Sequence, residues 1–283
     1  MKIQELLAAT VEKFSKAGIE SAKADAEILL GYVLGLSRGE LLSRAITNGE
    51  ISVADRHSFE QLAVRRAQRE PLQHLTGRAA FRSLELLVGP GVFVPRFETE
   101  TVVENAIAEL RNLNVAEPVV VDLATGSGAI AISLAVEIPT AKVFAVELSE
   151  EALVYTRQNF ANYAPEAVLV QGDLAQAFPE LNGKVDLLIS NPPYIPNEMI
   201  PIYPEVHLHD PKLALYGGVD GLDIVRKVDQ RARDLVRPGG KLVIEHADMQ
   251  GSQVRQILVD SGWQNVYTGK DLAGRDRMVI ATR

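Results

Sequence analysis

The spacing of apolar residues divides the chain into a helical first quarter and an alternating remainder. Between residues 3 and 69, apolar positions recur every three to four residues, which is the period of one buried helix face. Gly18 ends the first such run, Ser21 begins the second, and a third extends from about Val53 to Arg69, just before Pro71. The pattern predicts a small helical bundle, with an N-terminal domain spanning residues 1–70.

The pattern changes between residues 71 and 95. Gly77 and the turn Gly89-Pro90-Gly91 accompany alternating positions around Phe81 to Val94. Alternation with a period of two, bounded by glycine and proline, is typical of paired strands. The segment 71–95 is therefore predicted to be a β-hairpin that links two domains.

From residue 96 to residue 283, short apolar runs alternate with helical stretches, which favours an α/β fold with a mostly parallel sheet. The last two runs lack a helix between them, so they are predicted to form an antiparallel hairpin at the sheet edge. The predicted strands are Val119–Asp122, Lys142–Glu147, Ala167–Gln171, Val185–Ser190, Lys241–Glu245, Trp263–Thr268 and Arg277–Ala281. The predicted fold class is α/β, a seven-stranded doubly wound sheet of Rossmann-like type.

Composition narrows the class of protein. A chain of 283 residues with 47% hydrophobic content can form one large and one small core. The absence of cysteine excludes disulfides, thiolate metal sites and cysteine nucleophiles. The first residues, Met1 to Glu5, lack the charged-then-apolar layout of a signal peptide, so none is expected. The longest apolar stretch, Val119 to Val136, is interrupted by Asp122, Gly126 and Gly128, so it is not expected to span a membrane. We expect a soluble cytoplasmic protein without a membrane partner.

The net charge of −8 is unevenly distributed. The acidic excess lies after residue 96, whereas the first 96 residues carry a slight basic excess. Enzymes that bind duplex nucleic acid normally present a basic face, so an acidic second half argues against nucleic acid as the direct substrate. A group of arginines in the first part is interpreted as a solvated face; its members are Arg65, Arg66, Arg69, Arg78 and Arg82.

The tetrapeptide Asn191-Pro192-Pro193-Tyr194 follows the predicted strand Val185–Ser190, at the strand end where open α/β sheets bind ligands. Two prolines remove two backbone donors and hold the chain extended. An Asn side-chain oxygen beside an unpaired carbonyl would place two acceptors at one point, which matches the two hydrogens of an NH2 group. The sequence thus suggests a pocket for a planar amino or amide nitrogen. Taken alone, the tetrapeptide is more simply explained as a proline-rich turn after a strand.

A second turn joins the first predicted strand to a helix. Asp122 precedes it, and Ala124, Thr125, Gly126 and Gly128 form it. Glycines at a helix N-terminus let the backbone approach a ligand closely. A dinucleotide site would have a third glycine where Ala131 stands, so S-adenosylmethionine fits the spacing better, with Asp122 near its ammonium group. Taken alone, the turn is compatible with a methyltransferase and with a nucleotide-binding module.

Acidic residues end the next two predicted strands. Glu147, followed by Leu148, lies about 20 residues beyond the glycine turn, where an acid can bind both ribose hydroxyls. Asp173, followed by Leu174, can accept a hydrogen bond from an adenine amino group or can cap a helix. Both explanations of Asp173 remain open at this stage.

Acidic or amide residues at four consecutive strand ends resemble class I S-adenosylmethionine-dependent methyltransferases. The Asn-Pro-Pro-Tyr tetrapeptide resembles that of N-methyltransferases acting on exocyclic or amide nitrogens. Three further motifs resemble the release-factor glutamine methyltransferase family, known as HemK or PrmC: Pro71 to Gly77, Pro95 to Glu100, and Asp271 to Arg277. Together the motifs extend the resemblance over nearly the whole chain.

The resemblance implies a function and a set of site residues. The cofactor would be S-adenosyl-L-methionine, leaving as S-adenosyl-L-homocysteine, with no metal. The partner would be a class I peptide chain release factor, methylated at the glutamine of its Gly-Gly-Gln motif by a monomeric enzyme whose first 70 residues recognise it. The tetrapeptide Asn191, Pro192, Pro193 and Tyr194 would be catalytic, and Arg96, Phe97, Thr99 and Glu100 would line the substrate cleft.

Alternatives accompany several of these residues. Arg96 could be an interdomain salt-bridge partner, Glu100 a first-turn helix acid, and Tyr194 a cover over the core. Ala124 stands where the family often has glycine, and we expect it to be tolerated with a negative φ. His207 and His209 have the spacing of a metal pair, but no accompanying cluster supports one.

Three rival functions remain. A nucleic-acid adenine or cytosine N-methyltransferase also targets an NH2 group, but it needs a base-flipping pocket and a phosphate-binding surface. A ribosomal-protein glutamine methyltransferase would share the tetrapeptide. A non-catalytic nucleotide-binding adaptor would not need Asn191.

Overall fold

The computed structural model describes residues 1–283, which divide into two units. The first comprises Met1–Arg78 together with Pro201–His209, and the second comprises Ala79–Ile200 together with Asp210–Arg283. The border at Arg78 cuts through the predicted linking segment 71–95. Most of the hairpin therefore belongs to the second unit, and a short segment from the second half of the sequence belongs to the first.

The chain forms twelve α-helices and nine strands, and most of the strands follow residue 96. The α-helices are α1 (Ile3–Lys16), α2 (Ala22–Leu34), α3 (Arg38–Ile46), α4 (Val53–Ala67), α5 (Leu72–Thr76), α6 (Phe97–Asn112), α7 (Ala129–Glu137), α8 (Glu150–Tyr163), α9 (Pro204–His209), α10 (Lys212–Leu215), α11 (Asp223–Leu235) and α12 (Gly251–Asp260). The strands are β1 (Arg78–Phe81), β2 (Leu84–Leu87), β3 (Val119–Leu123), β4 (Lys142–Glu147), β5 (Val168–Gln171), β6 (Val185–Ser190), β7 (Val236–Glu245), β8 (Gln264–Lys270) and β9 (Asp276–Thr282). None of the helices combines the length and apolar character that crossing a bilayer requires.

The first unit is a helical bundle, as the periodicity predicts. Its core contains fully buried side chains from four helices, including Phe14, Leu29, Leu41 and Phe59. The three predicted helices correspond to α1, α2 and α4. A further helix, α3, was not predicted because only two of its nine residues are buried; a capping box between Ser37 and Glu40 starts it.

The arginines of this unit are ion-paired rather than solvated. Arg66 is only 5% exposed; its Nε donates to Asp25 at 2.7 Å and its Nη1 to Glu205 at 2.9 Å. Arg69 donates to the same Glu205 at 2.6 Å. The interpretation as a solvated face is wrong for these two residues, because carboxylates from α2 and from the segment Pro201–His209 neutralise them.

The second unit is built on a seven-stranded sheet in the order β5-β4-β3-β6-β7-β9-β8. The first five strands of this order, β5 to β7, pair in parallel with one another, and β9 is antiparallel to both β7 and β8. The predicted seven-stranded sheet and its antiparallel edge pair are thus confirmed. Apolar clusters cover both faces of the sheet, which is the usual environment of parallel strands.

The hairpin of β1 and β2 is shorter than predicted. Its first predicted residues, Leu72 to Thr76, form helix α5, and the chain beyond Leu87 is not a strand. Arg82 at the hairpin turn donates to Glu137 at 2.5 and 2.7 Å and to Glu104 at 2.8 Å. Arg82 is therefore also neutralised rather than solvated.

Candidate active site at the ends of β3 and β6

The sheet brings two predicted turns side by side. Strands β3 and β6 are neighbours, and Leu123 at the end of β3 pairs with Ser190 at the end of β6. The Ser190 hydroxyl also donates to the Leu123 carbonyl at 2.6 Å. From β3 the chain adds β4 and β5 on one side of the sheet, and it then adds β6 and β7 on the other side. Ligands of open α/β folds bind at the point where the strand order switches in this way.

The turn after β3 is held in left-handed backbone geometry. Ala124, Gly126 and Gly128 have φ values of +63°, +58° and +89°. The expectation of a negative φ at Ala124 is wrong, because the chain must reverse from β3 into α7 within five residues. A side chain in this region costs about 1–2 kcal/mol, so Ala124 is strained where glycine would not be.

Asp122 lies beneath this turn and is fully buried. Its Oδ2 accepts hydrogen bonds from the Thr125 hydroxyl at 2.6 Å and from the Ala131 amide at 3.2 Å. Its Oδ1 has no partner. Burial raises the pKa of Asp122 to about 7, against the opposing effect of these two donors. A buried carboxylate oxygen without a partner is suited to receive a ligand donor or cation.

Glu147 ends β4 beside the same turn. Its Oε2 accepts from the Gly126 amide at 2.8 Å, and its Oε1 accepts from the Ser149 amide at 2.7 Å. The two amides fix the plane of the carboxylate and leave each oxygen a further lone pair. Leu148, the next residue, is 52% exposed and so available to cover a ligand.

Asp173 follows β5 and caps a short 3-10 helix, Leu174–Gln176, by accepting from the Ala175 amide at 2.9 Å. The capping role considered for Asp173 is therefore present, and it occupies one of its two oxygens. Asp173 also lines an open cleft of about 380 Å³ together with Val146, Gly172 and Phe178. Leu174 packs against the core beneath it.

These residues fit S-adenosylmethionine. The unpartnered Asp122 Oδ1 suits its ammonium group, and the oriented Glu147 carboxylate suits its ribose hydroxyls. Nothing lies within 4 Å of the position that a Cβ on Gly126 would occupy, so the backbone is open to close approach. No group of three or more His, Cys, Asp or Glu side chains is arranged to hold a metal ion.

The corner after β6 presents acceptors rather than donors. Neither the Asn191 carbonyl nor the Pro192 carbonyl accepts a hydrogen bond within the chain. The Asn191 Nδ2 donates to the Thr99 hydroxyl at 3.3 Å, which leaves Oδ1 without a partner in the chain. Asn191 Oδ1 and the Pro192 carbonyl are therefore both free to receive donors.

A glycine loop and a glutamine hold this corner from behind. A Cβ on Gly217 would lie 2.5 Å from the Pro193 carbonyl, so only glycine allows this close approach. The Gln250 Nε2 donates to the Tyr194 carbonyl at 2.9 Å. The sequence analysis did not predict a role for either residue. The pair Gly217-Gly218 could have been recognised as a turn, whereas no local pattern marks Gln250 as a residue of the site.

Tyr194 points at a buried acid. Its hydroxyl donates to Glu245 Oε1 at 3.3 Å, and Glu245 is 1% exposed at the end of β7. Burial raises the pKa of Glu245 to about 7, and burial together with this carboxylate holds the pKa of Tyr194 well above its usual value. Glu245 was missed, although an acid directly after the apolar run Leu242 to Ile244 was visible in the sequence.

Arg96 lies at the N-terminus of α6. Its Nη2 pairs with Asp210, and its guanidinium stacks over the Phe93 ring at 4.8 Å from the centroid. Burial raises the pKa of Asp210 to about 6, with Arg96 acting against that rise. The alternative of an interdomain salt bridge is wrong, because both partners belong to the second unit.

The other predicted residues of α6 face different surroundings. Phe97 is 76% exposed, whereas Thr99 is 4% exposed and contacts Asn191. Glu100 accepts from the Arg82 amide at 3.1 Å, which places it against the hairpin. The structure therefore brings Thr99 to the corner and leaves Phe97 free, while Glu100 is engaged in holding β1 and β2.

Comparison with known proteins matches both units. Residues 5–77 match a family model described as the PrmC N-terminal domain, and residues 90–200 match the methyltransferase small domain. A release factor glutamine methyltransferase of Streptomyces coelicolor is 48% identical over 279 residues, covering 98% of this chain and 96% of the relative. The chain belongs to the release factor glutamine methyltransferase family. It is therefore a methyltransferase, and the resemblance noted from its motifs is confirmed.

Further members agree with this assignment. The relative from Mycolicibacterium smegmatis, also named release factor glutamine methyltransferase, is 42% identical and covers all of this chain and 98% of its own length. Among solved structures, a methyltransferase from Pyrococcus furiosus matches with a TM-score of 0.52 at 22% identity, covering 72% of this chain and 90% of its own. That likeness confirms the methyltransferase fold.

Proposed function

We propose that this methyltransferase transfers the methyl group of S-adenosylmethionine to the side-chain nitrogen, N5, of the glutamine in the Gly-Gly-Gln motif of class I peptide chain release factors. Two observations support the proposal. Its full-length relatives are named release factor glutamine methyltransferases. Its corner after β6 offers two free acceptor oxygens, on Asn191 and Pro192, to a group that has two hydrogens to donate.

A carboxamide nitrogen is a poor nucleophile because its lone pair is delocalised into the carbonyl. Asn191 Oδ1 and the Pro192 carbonyl each accept one N–H of the substrate, which fixes the nitrogen in one orientation. Positioning reacting atoms about 3–3.5 Å apart in this way can lower a barrier by about 7–11 kcal/mol. The same two oxygens stabilise positive charge as it grows on nitrogen. No strong base is required, because the extra proton can leave to water afterwards.

The residues beside β3, β4 and β5 hold the cofactor. Asp122 Oδ1 would pair with its ammonium group, Glu147 would bind the ribose hydroxyls, and the free oxygen of Asp173 would accept from the adenine amino group. Bound there, the cofactor supplies an electrophilic methyl group on a sulfonium. The chain's own contribution is to orient the nucleophile.

The helical unit recognises the protein substrate. The segment Pro201–His209, which follows the corner in sequence, belongs to this unit and is tied to it by the pairs of Glu205 with Arg66 and Arg69. It exposes large apolar side chains: Ile202 is 92%, Tyr203 61% and Leu208 60% exposed. Adjacent exposed apolar residues of this size are typical of protein-binding surfaces.

One assay separates this function from its rivals. The enzyme is incubated with methyl-labelled S-adenosylmethionine and, in separate reactions, a class I release factor, the same factor with its Gly-Gly-Gln glutamine replaced by alanine, ribosomal proteins and duplex DNA. We expect label on the unaltered release factor alone, located at glutamine N5 by mass spectrometry. Label on DNA or on a ribosomal protein, with none on the release factor, would overturn the proposal.

A further inference from the structure

The peptide unit between Tyr194 and Ile195 is held from both sides. Its carbonyl, on Tyr194, accepts from the Gln250 Nε2 at 2.9 Å, and its N–H, on Ile195, donates to the Leu215 carbonyl at 2.8 Å. A peptide unit is planar, so fixing both of its polar groups fixes the plane. Among the carbonyls from Asn191 to Tyr194, only that of Tyr194 accepts a hydrogen bond within the chain. This plane is therefore the first fixed point after the free acceptors of the corner.

A short and stiff piece of chain joins this plane to the Pro192 carbonyl. The ring of Pro193 fixes its φ at about −65°. The Pro193 carbonyl packs against Gly217, where an added Cβ would lie 2.5 Å from it, and the Tyr194 side chain is held by the bond of its hydroxyl to Glu245. A tilt of the plane after Tyr194 would therefore displace the Pro192 carbonyl, because few torsions between the two are free to absorb it.

The side-chain amide of Gln250 can be oriented in only one way. Its Oε1 accepts from the Ala247 N–H at 3.0 Å, while its Nε2 donates to the Tyr194 carbonyl. A backbone N–H only donates and a carbonyl only accepts, so a half-turn of the amide would break both bonds. Gln250 is 4% exposed, so both bonds are shielded from water. The donor that the Tyr194 carbonyl meets is thus set by the protein.

Helix capping does not account for this glutamine. Gln250 occupies the N-cap position of α12, yet its side chain makes no hydrogen bond to the first turn of that helix. Capping residues ordinarily use their side chains for such a bond. The amide of Gln250 is directed at the corner after β6 instead, so the role of this residue is sought there.

We propose that Gln250 is a positioning residue that fixes the peptide plane after Tyr194 and thereby aims the Pro192 carbonyl at the substrate amide. This inference rests on the proposed function, in which that carbonyl accepts one N–H of the glutamine. Gln250 acts from behind the corner, through the backbone. Loss of its donor should therefore lower turnover and leave the affinity for S-adenosylmethionine, which binds beside β3, β4 and β5, nearly unchanged.

Gln250→Glu tests the donor directly, because it replaces the NH2 by an oxygen of similar size. An ionised carboxylate cannot donate to the Tyr194 carbonyl, whereas the protonated acid can. Burial raises the pKa of such a carboxyl above its ordinary value of about 4.3, so we expect it to be protonated at pH 6 and ionised at pH 8. Relative to the wild type at the same pH, kcat for release-factor methylation should fall about 10- to 100-fold at pH 8 and stay within about threefold at pH 6.

Gln250→Met removes the donor without adding a charge. Its kcat should fall about 10-fold at both pH values, so the order of the two variants should reverse between pH 6 and pH 8. Gln253→Glu, the same change on the exposed face of α12, is the matched control and should keep normal kcat at both pH values. The titratable neighbours of Gln250 are present in every variant and so cannot cause the reversal; they include Glu245, His246, Asp248 and Asp276.

Three outcomes of this series would overturn the inference. They are normal kcat in Gln250→Met, equal losses of kcat in Gln250→Met and Gln250→Glu at both pH values, and a Kd for S-adenosylmethionine that rises as much as kcat falls. Methylation of the release factor by the wild-type enzyme, measured alongside, reports separately on the proposed function.

A measurement without substrate observes the peptide unit itself. Tyr194-Ile195 is the only Tyr-Ile pair in the sequence, so protein labelled with ¹³C on tyrosine carbonyls and ¹⁵N on isoleucine gives a single signal in a carbonyl–amide NMR correlation spectrum. Loss of the hydrogen bond should shift this carbonyl resonance in Gln250→Met at both pH values and in Gln250→Glu only at pH 8. An unshifted resonance in both variants would contradict the inference whatever the substrate, and unfolding temperatures would show that the variants are folded.

Discussion

Two turns lie at the centre of the sheet, Ala124–Gly128 after β3 and Asn191–Tyr194 after β6. They differ in backbone conformation and in the charge of the groups that they offer to a ligand. The first uses positive φ angles to bring backbone close to a ligand, and two carboxylates, Asp122 and Glu147, adjoin it. The second uses prolines that keep the backbone extended, and it offers only neutral oxygens. The cofactor side of the site is thus prepared for a cation and several donors, whereas the reacting side is prepared for a neutral NH2.

The difference explains why no strong base adjoins the reacting corner. A charged acceptor buried there would itself need a counter-ion. A buried acid near the corner, Glu245, accepts a hydrogen bond from the Tyr194 hydroxyl rather than facing the two free acceptors. The following substitutions test this contrast, from the largest expected effect to the smallest.

Asn191→Ala removes the side-chain acceptor from the reacting corner. We expect kcat for release-factor methylation to fall by about 100- to 1,000-fold, as for loss of one preorganised hydrogen-bonding group at other active sites. Cofactor affinity, measured by calorimetry, should change less than about threefold. Comparable losses in kcat and in cofactor affinity would mean that Asn191 shapes both turns, and the contrast between them would fail.

Asp122→Asn tests the cofactor side through pH. The pKa of Asp122 is about 7 in the folded protein against 3.8 as its ordinary value, so its contribution to stability is present below pH 4 and is lost as pH rises through 7. The variant avoids this loss. Without cofactor, it should be as stable as the wild type near pH 4 and more stable at pH 8, by at most about 4 kcal/mol.

The same variant should bind S-adenosylmethionine more weakly, because the ammonium group loses its charged partner. Thermal unfolding at pH 4, 6 and 8 and calorimetric titration at pH 8 measure the two effects. A variant that is less stable than the wild type at pH 8 would show that the buried charge is compensated, contrary to the orphaned Oδ1.

Pro192→Ala keeps the carbonyl of the corner but frees its φ angle and adds an N–H donor. We expect kcat to fall about two- to fivefold, because the residue is no longer fixed before the substrate binds. The exposed Pro139, which follows α7, is the matched control, and Pro139→Ala should leave kcat unchanged. A Pro192→Ala enzyme with full activity would argue that the neighbouring glycine loop alone holds the corner.

Ala124→Gly relieves strain in the cofactor turn. The φ of +63° favours glycine, so the variant should be more stable by about 1 kcal/mol, or about 2–4 °C in Tm. Ala108→Gly, on the exposed face of α6, should instead cost about 1 kcal/mol. If both changes destabilise the protein equally, the left-handed geometry at Ala124 is not a source of strain.

Much of the difference between the turns after β3 and β6 could be predicted from the sequence, because it depends on residues that are close together in the chain. Each turn directly follows an apolar run, and the glycines and prolines that shape it stand next to one another. The strand bounds Lys142–Glu147 and Val185–Ser190 agree with the structure for the same reason. Periodicity and turn chemistry act over a few residues, so they can be recognised without knowledge of the fold.

The missed features depend on residues that only folding brings together. Thr99 and Asn191 are 92 positions apart, and Arg66 is 139 positions from Glu205. The sign of φ at Ala124 was also not predictable, since it is set by the space between β3 and α7 rather than by the residue. These contacts and this φ angle depend on the tertiary structure, so the sequence alone does not distinguish between the alternative roles of the residues.

The central claim is that one rigid corner grips the two hydrogens of the substrate amide. A crystal structure of the enzyme with S-adenosylhomocysteine and a Gly-Gly-Gln peptide tests it directly. We expect the glutamine nitrogen within hydrogen-bonding distance, about 2.7–3.2 Å, of both Asn191 Oδ1 and the Pro192 carbonyl. A glutamine nitrogen bound elsewhere, or the side chain turned so that its oxygen faces this corner, would contradict the account.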